Sequence, residues 1–356
     1  MKITVLITGA SGGGVGRQCI KSLRLGKLKY RIIATDTTSR SLGLYTDIDK
    51  AYLVPTVTDP NYLDTIFKIC AKEKVQILIP GSEAELKIIG TQLKQFKKKN
   101  ILVLTNNAEV INNCLDKWSN YKKLKSLGFN VPESYLPKNS KDIDLIKKFP
   151  VVIKPYTGGG GSRGVFIAQN KKELSFFLDY LFRQGVSPVI QEYIGSPDEE
   201  YTVGVLHSLK GKLLGSFALK RVVKGAMSVK SAIKDYKNDN VYVISTGISQ
   251  GEVDDFPEVR KYAEKIANKI KSTGPLNIQC RKEGDKIYVF EINPRFSGTS
   301  AIRALCGYNE VETLIKIHLL GQKPVKMTYK SGLVLRDLEN FYIDKKRMRA
   351  IEEQGI

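Results

Sequence analysis

Apolar runs of strand length alternate with helical segments through the first third of this chain, and that alternation leaves few folds open. Residues 3–8 form the first such run, 9–16 a glycine-rich loop, and 15–25 a segment with helical spacing. Residues 30–35, ending in Asp36, are the second strand, and residues 51–55, 76–80 and 101–104 are the next three. Helices are expected over 62–72 and 83–96. Strands joined through helices pair in parallel, because each crossover returns the chain to the same edge of the sheet. A doubly wound parallel sheet is therefore expected over residues 1–113.

The pattern then changes. Residues 112–127 read as one helix stopped by Gly128, with an extended segment starting at Val131-Pro132. A strand over 150–155 runs into a second glycine-rich loop over 157–164, and another strand covers 188–193. Beyond Glu200 the pattern is mostly β, with a helix over 258–271. An α+β domain is expected over 114–325, divided into a small lobe (125–190) and a larger lobe (191–325). Residues 326–356 read as a weakly patterned, charged extension.

Composition narrows the chemistry. With 42% hydrophobic and 26% charged residues, the 356-residue chain reads as soluble and globular. No apolar run approaches the roughly 20 residues that span a bilayer, and the N-terminal run reads as fold rather than targeting. Five cysteines (Cys19, Cys70, Cys114, Cys280, Cys306) form no CxxC, and His207 and His318 are the two histidines. A zinc site and a histidine relay are therefore not expected, His318 reads as a packed residue, and a reducing cytoplasm fits the thiols. The net charge of +21 is spread along the chain, with dense runs only at Lys97-Lys98-Lys99 and Lys345-Lys346-Arg347. Nucleic acid is not expected as the primary ligand; an anionic small substrate suits the charge equally well.

The alternation in Val289-Phe290-Glu291-Ile292-Asn293-Pro294-Arg295 places Glu291, Asn293 and Arg295 on one strand face and Phe290 and Ile292 on the other. A turn at Glu283-Gly284-Asp285 would put Gln279 across from Glu291. Oxygen ligands beside a guanidinium suit Mg²⁺ carrying phosphate oxygens, although such a strand can equally be a solvated face. Lys154 precedes the loop Tyr156-Thr157-Gly158-Gly159-Gly160-Gly161-Ser162-Arg163-Gly164, whose backbone donors can wrap a polyphosphate. The edge at Gln191-Glu192-Tyr193-Ile194 can bond an adenine, and Glu199 or Glu200 a ribose. In the first glycine loop, Gly12 and Gly13 could approach an anion and Asp36 a ribose, but the spacing is not GxGxxG. Gly81-Ser82-Glu83 ends a strand where open sheets bind ligands, or Ser82 simply caps a helix.

In order, Asp116-Lys117, Leu127-Gly128-Phe129-Asn130-Val131-Pro132, Val152-Ile153-Lys154-Pro155, Gln191-Glu192-Tyr193-Ile194, Glu200-Tyr201-Thr202-Val203, Gln279 and Glu291-Ile292-Asn293-Pro294-Arg295 resemble the ATP-grasp superfamily. The likeness spans about residues 1–325 and is nearest to one half of a carbamoyl-phosphate synthetase large subunit. It implies a two-lobed grasp after the parallel sheet. Lys117 and Lys154 would contact ATP phosphates beneath a flap including Gly159, Gly160 and Ser162. Glu192, Tyr193 and Ile194 would line the adenine site and Glu200 would hold the ribose. Gln279, Glu291 and Asn293 would hold Mg²⁺ (or Mn²⁺), and Arg295 would steady the transferring phosphoryl group. Lys220 or Arg221 would add positive charge. Gly12, Gly13, Ser82, Glu83, Ser297, Gly298 and Arg303 are substrate candidates.

The reaction implied joins a small-molecule carboxylate to an amine, or to a thiol, through an acylphosphate, releasing ADP and phosphate. With one grasp unit and no glutaminase segment in the sequence, the full carbamoyl phosphate route is not expected. Related proteins commonly dimerise, so a homodimer is expected. Two rivals stand beside this reading. One is a nicotinamide-dependent short-chain-type reductase using residues 9–16, Asp36 and the Tyr121/Lys125 pair. The other is a non-catalytic nucleotide-binding or nucleic-acid-binding protein.

Overall fold

The computed structural model describes residues 2–11, 14–158, 162–225 and 227–355. The candidates Gly12, Gly13, Gly159 and Gly160 lie outside these residues. Strands β1 (Ile3–Ile7), β2 (Tyr30–Asp36), β3 (Lys50–Leu53), β4 (Ile77–Ile79) and β5 (Leu102–Val103) form a parallel sheet in the order β3-β2-β1-β4-β5. Helices α1 (Val15–Arg24), α2 (Tyr62–Lys72), α3 (Glu83–Thr91) and α4 (Leu93–Lys98) connect them. The sheet is apolar on both faces because both are covered. Val5, Ile7 and Ile32 pack with Ile20 and Leu23 of α1, whereas Leu6, Ile33 and Leu78 pack with Ile66, Ile69 and Ile89 from α2 and α3. The expected helix over 83–96 divides at Gln92, which leaves helical geometry (φ −108°, ψ 14°). Strand order reverses between β1 and β4, so the loops following them meet in one crevice.

The single helix expected over 112–127 is in fact two, α5 (Ala108–Leu115) and α6 (Lys117–Ser126). Asp116 breaks the run: its extended backbone (φ −91°, ψ 106°) lets the carboxylate accept from Ser119 N–H at 2.7 Å. The break places Lys117 at the first turn of a separate helix.

A four-stranded antiparallel sheet follows, from β6 (Ser134–Tyr135), β7 (Val151–Pro155), β8 (Phe166–Ala168) and β9 (Pro188–Glu192) in the order β6-β9-β7-β8. Helix α7 (Lys171–Arg183) packs on it through Leu174 and Leu178. The larger sheet contains β10 (Glu200–His207) and β11 (Leu213–Arg221), followed by a hairpin of β12 (Val229–Lys234) and β13 (Val241–Ser245) that stands apart. It continues with β14 (Gly251–Asp254), α8 (Pro257–Lys269), β15 (Pro275–Glu283), β16 (Lys286–Asn293), α9 (Ser300–Leu305), α10 (Glu310–His318) and β17 (Gly332–Val334). Its order is β16-β15-β10-β11-β14-β17. One face buries Tyr201, Val203, Ala218, Ile278 and Val289 against Val259, Ala263 and Ile266 of α8. The other face is polar where β10, β15 and β16 meet.

The charged tail is more ordered than its composition suggests. β17 pairs with β14, and a last helix, α11 (Lys345–Glu352), docks on the parallel sheet by burying Ile351. Ser39 Oγ donates to Glu352 at 2.6 Å. One strap thus ties the two sheets together. All five cysteines are buried and unpaired. His318 is half-buried, with Nε2 accepting from Leu209 N–H at 2.9 Å. No helix among the described residues is long and apolar enough to cross a membrane.

Candidate active site

The hairpin of β15 and β16 brings the predicted oxygen ligands together. Gln279 pairs with Glu291 and Asn277 with Asn293, and the turn is made at Gly284 with φ +55°, a conformation glycine adopts without strain. A bulge between Gln279 and Cys280 inserts one extra residue on β16. Phe290 therefore joins Glu291 on the cleft side instead of sharing the core side with Ile292, as strict alternation had implied. Neither Gln279 nor the Glu291 carboxylate has a side-chain hydrogen bond among the described residues. One carboxylate and two carboxamides are hard oxygen donors, so the set fits a divalent cation sharing phosphate oxygens. Among the described residues no group of three or more His, Cys, Asp and Glu is placed to hold a metal ion by itself. The cation would therefore rest on phosphate oxygens as much as on protein.

Lys154 projects from β7 into the interface between the two sheets. It is buried, and its Nζ donates to Gln191 Oε1 at 2.8 Å and to the Phe290 carbonyl at 3.1 Å. Burial pushes the ammonium down to about 8; the Glu291 carboxylate draws it back up, and Lys117 lowers it again. Arriving phosphates favour the charged form, so Mg-ATP binding above about pH 8 is expected to take up a proton at Lys154. Affinity should fall by up to about tenfold per pH unit as pH rises from there toward the ordinary value. Calorimetric titrations in two buffers of different protonation enthalpy read this proton, and Lys154→Met should abolish it. Affinity that stayed flat across that range in the wild type would contradict the assignment.

Lys117 reaches the same space from α6, donating to the Gly158 carbonyl at 2.8 Å. Ser162 sits with φ +61° and donates to the Ser245 carbonyl at 2.8 Å, which joins the small-sheet loop to the β12–β13 hairpin. Gln191, Glu192, Tyr193 and Ile194 line a narrow pocket with Phe290, Tyr288 and Ile244. The Tyr193 hydroxyl accepts from Val243 N–H at 2.9 Å. β13 thus closes one wall, and the alternation in Val241-Tyr242-Val243-Ile244-Ser245 is a strand signal legible in the sequence.

Glu200 and Arg221 meet, but chiefly each other. Glu200 accepts from Arg221 Nη1 at 2.5 Å and Ser245 Oγ at 2.8 Å, and its second oxygen from Arg281 Nε at 3.0 Å and Nη2 at 2.9 Å. Burial pushes this carboxyl up, but the two guanidiniums outweigh it and hold it below the usual range. Lys220, the alternative to Arg221, points to the opposite face and pairs with Glu199. Arg281 was missed, although it lies two residues beyond Gln279 and hence on the same strand face. Its guanidinium stands 4.5 Å from the Tyr193 ring centroid.

Beyond Lys154 and Glu291 opens a cavity of about 460 Å³, reaching Gly14 and Glu83 of the parallel-sheet region and Thr202, Asn277, Ser297 and Gly298. Arg295 follows the end of β16: its Nη2 donates to Glu83 Oε1 at 3.0 Å and Asn293 Oδ1 at 3.1 Å. Ser82 is the N-cap of α3, accepting from Glu85 N–H at 3.2 Å. Arg303 does not face the cavity. It is fully buried against Glu310 (2.9 Å), donates to Asn277 Oδ1 at 2.6 Å, and lies where a Cβ on Gly204 would come within 2.2 Å of it. It holds Asn277, which lines the cavity. Of the reductase constellation, Asp36 is buried beside its own chain turn, and Tyr121 and Lys125 bind each other and Glu133.

The chain is similar to known proteins over most of its length. An ATP-grasp domain model matches residues 114–299, and a PylC-like, N-terminal domain model matches residues 5–104. Over 309 residues the chain is 27% identical to the carbamoyl phosphate synthase large chain of Pyrococcus furiosus, covering 82% of this chain and 27% of that one. It thus spans about a quarter of that relative's length. It is 30% identical over 190 residues to the D-alanine–D-alanine ligase of Fusobacterium nucleatum, covering 53% and 59% of the two chains. The fold is similar to that of an L-amino acid ligase from Bacillus licheniformis, with a TM-score of 0.64 at 15% identity over 91% of this chain and 75% of that one.

Proposed function

Because the chain belongs to the ATP-grasp family, we propose that it is an ATP-dependent ligase joining a carboxylate to an amine with release of ADP and phosphate. The observation that carries this reading is the convergence of Lys117, Lys154, Gln279, Glu291 and Asn293 on one cavity wall, with Arg295 at its far end. That wall separates a pocket lined by Tyr193, Tyr288 and Phe290 from a polar cavity large enough for further reactants. Lys117 and Lys154 supply fixed positive charge for the triphosphate, and Ser162 ties the loop above it. Tyr193 and Ile194 give the base an edge to bond, while Glu200, already committed to two arginines, shapes the ribose end rather than offering a free carboxylate. Gln279, Glu291 and Asn293 would hold Mg²⁺, which when bound neutralises charge on the phosphate oxygens. Phosphoryl transfer of this kind asks for positioning and charge compensation rather than a protein nucleophile. The burial of all five thiols and both histidines' engagement elsewhere are consistent with that demand.

The test is ADP release by the intact protein with Mg-ATP and a panel of carboxylates and amines. Turnover that needs both partners is expected. ATP hydrolysis indifferent to both, or thermal protection by NADH and not by Mg-ATP, would reject the ligase reading.

A further inference from the structure

Resting on the ligase reading, we infer that the carboxylate substrate is a zwitterionic amino acid, its ammonium held by Glu83 and its carboxylate by Arg295. The two side chains come from different parts of the fold, Glu83 from the first turn of α3 and Arg295 from the end of β16, and they meet at 3.0 Å inside the cavity. Both are shielded, with 24% and 15% of their side chains exposed. Arg295 is held rigidly by Asn293 Oδ1 and the Phe296 carbonyl (3.0 Å), and its buried Nε has no partner among the described residues.

Arg295 is therefore an anion receptor lying directly beside the strand that carries Glu291 and Asn293. A carboxylate bound there sits next to the phosphate-facing wall, as an attacking oxygen must. A plain carboxylate would have to displace Glu83 and leave that carboxylate unpaired beside a second anion, a like-charge contact in a shielded space. An amino acid exchanges the Glu83–Arg295 pair for two pairs and leaves the charge balance unchanged. Glu83 suits the task by position: it stands in the first turn of α3, whose start is fixed by the Ser82 cap. Away from Lys117, Lys154 and Glu291 on the phosphate-facing wall, the remaining lining is uncharged and includes Thr202, Ser249, Ser297 and Gly298.

The chemistry balances. A carboxylate oxygen attacks the γ-phosphorus, and the bond to the bridging oxygen breaks with its electron pair leaving on ADP. The amine then attacks the acyl carbon, the carbon–oxygen bond to phosphate breaks, and the amine gives up a proton. The ammonium paired with Glu83 carries no free electron pair, so the activated amino acid is kept from condensing with its own kind from that position.

Hydroxylamine as the amine makes the test independent of the natural nucleophile. The full chain with Mg-ATP and hydroxylamine is assayed for hydroxamate and ADP with alanine, aspartate, glutamate, phenylalanine and lysine. Each is matched to the acid lacking its α-amine: propionate, succinate, glutarate, 3-phenylpropionate and 6-aminohexanoate; the remaining common amino acids and D-alanine complete the panel. Hydroxamate is expected from an amino acid, with kcat/KM lower by about 10²-fold or more for its deaminated match. Glu83→Gln should raise KM for that amino acid roughly 10–100-fold and, because it removes the like charge that a plain carboxylate meets, raise turnover of the deaminated acid, so that the preference between the two collapses. Glu83→Asp should restore part of the loss, and protection from unfolding by Mg-ATP shows that each variant is folded. Equal use of deaminated acids, or a Glu83→Gln loss shared by both acid types, overturns the amino-acid assignment and leaves the ligase reading standing. No ADP or hydroxamate with any acid overturns the ligase reading itself.

Discussion

Replacing Glu291 with alanine is expected to lower Mg-ATP turnover by about 10³-fold while leaving the protein folded. It is the single carboxylate in the proposed cation site and has no hydrogen-bond partner among the described residues that would make it structural. Loss of one preorganised charge contact to a reacting phosphoryl group costs roughly 3–4 kcal/mol of transition-state stabilisation. Melting followed by circular dichroism should stay within roughly 0.5 kcal/mol of wild type, as for other partly exposed positions. Steady-state ADP release across Mg²⁺ concentration is the measurement. A variant that kept turnover within a fewfold of wild type at all Mg²⁺ levels would remove Glu291 from the site and take the cation proposal with it.

The second large effect falls on stability. Glu200→Ala leaves Arg221 and Arg281 facing each other, buried and without their shared carboxylate. Breaking a buried pair from one side costs roughly 3–5 kcal/mol, because the desolvated charge left behind has lost its compensation. A fall in melting temperature of roughly 5–10 °C is expected for a chain of this size. Arg221→Met in the same background should recover part of it, since the surplus charge goes with the arginine. Glu200 is held below its ordinary value of 4.5, so it binds fewer protons when folded than when unfolded. Its stabilisation is thus complete above that value and is lost only as pH falls through the lower folded one. The gap between wild type and Glu200→Ala should be flat near neutrality and narrow only in acid. A Glu200→Ala protein that melts with wild-type behaviour would show the triad to be ornamental.

The hairpin and the parallel sheet were legible because each is specified locally. Alternation in β15 and β16 and the glycine at the turn set the register that pairs Gln279 with Glu291. The same local rule misplaced Phe290, since one inserted residue reverses a period of two and nothing in the residue types announces it. The break at Asp116 was readable as an N-cap followed by Ser119 but was hidden by helical residues on both sides. The tail misled for a different cause. Its few apolar residues, such as Ile351, are worth burying only because the parallel sheet presents a surface for them.

Charge partners were the least legible feature. Arg303 and Arg221 read as cleft residues from their position next to the motif strands, but each found a buried glutamate. By itself the sequence determined where most strands and helices run, where glycine frees the backbone, and which residues of an unbulged strand share a face, because those follow from periodicity and backbone freedom over a few residues. Only the tertiary structure decided which of 57 basic side chains meet which of 36 acidic ones. Glu83 and Arg295 are 212 positions apart, and Glu200 and Arg281 are 81 apart. Pairings at that range are chosen by how whole sheets pack, since burial makes an unmatched charge costly only once the fold has excluded water from around it.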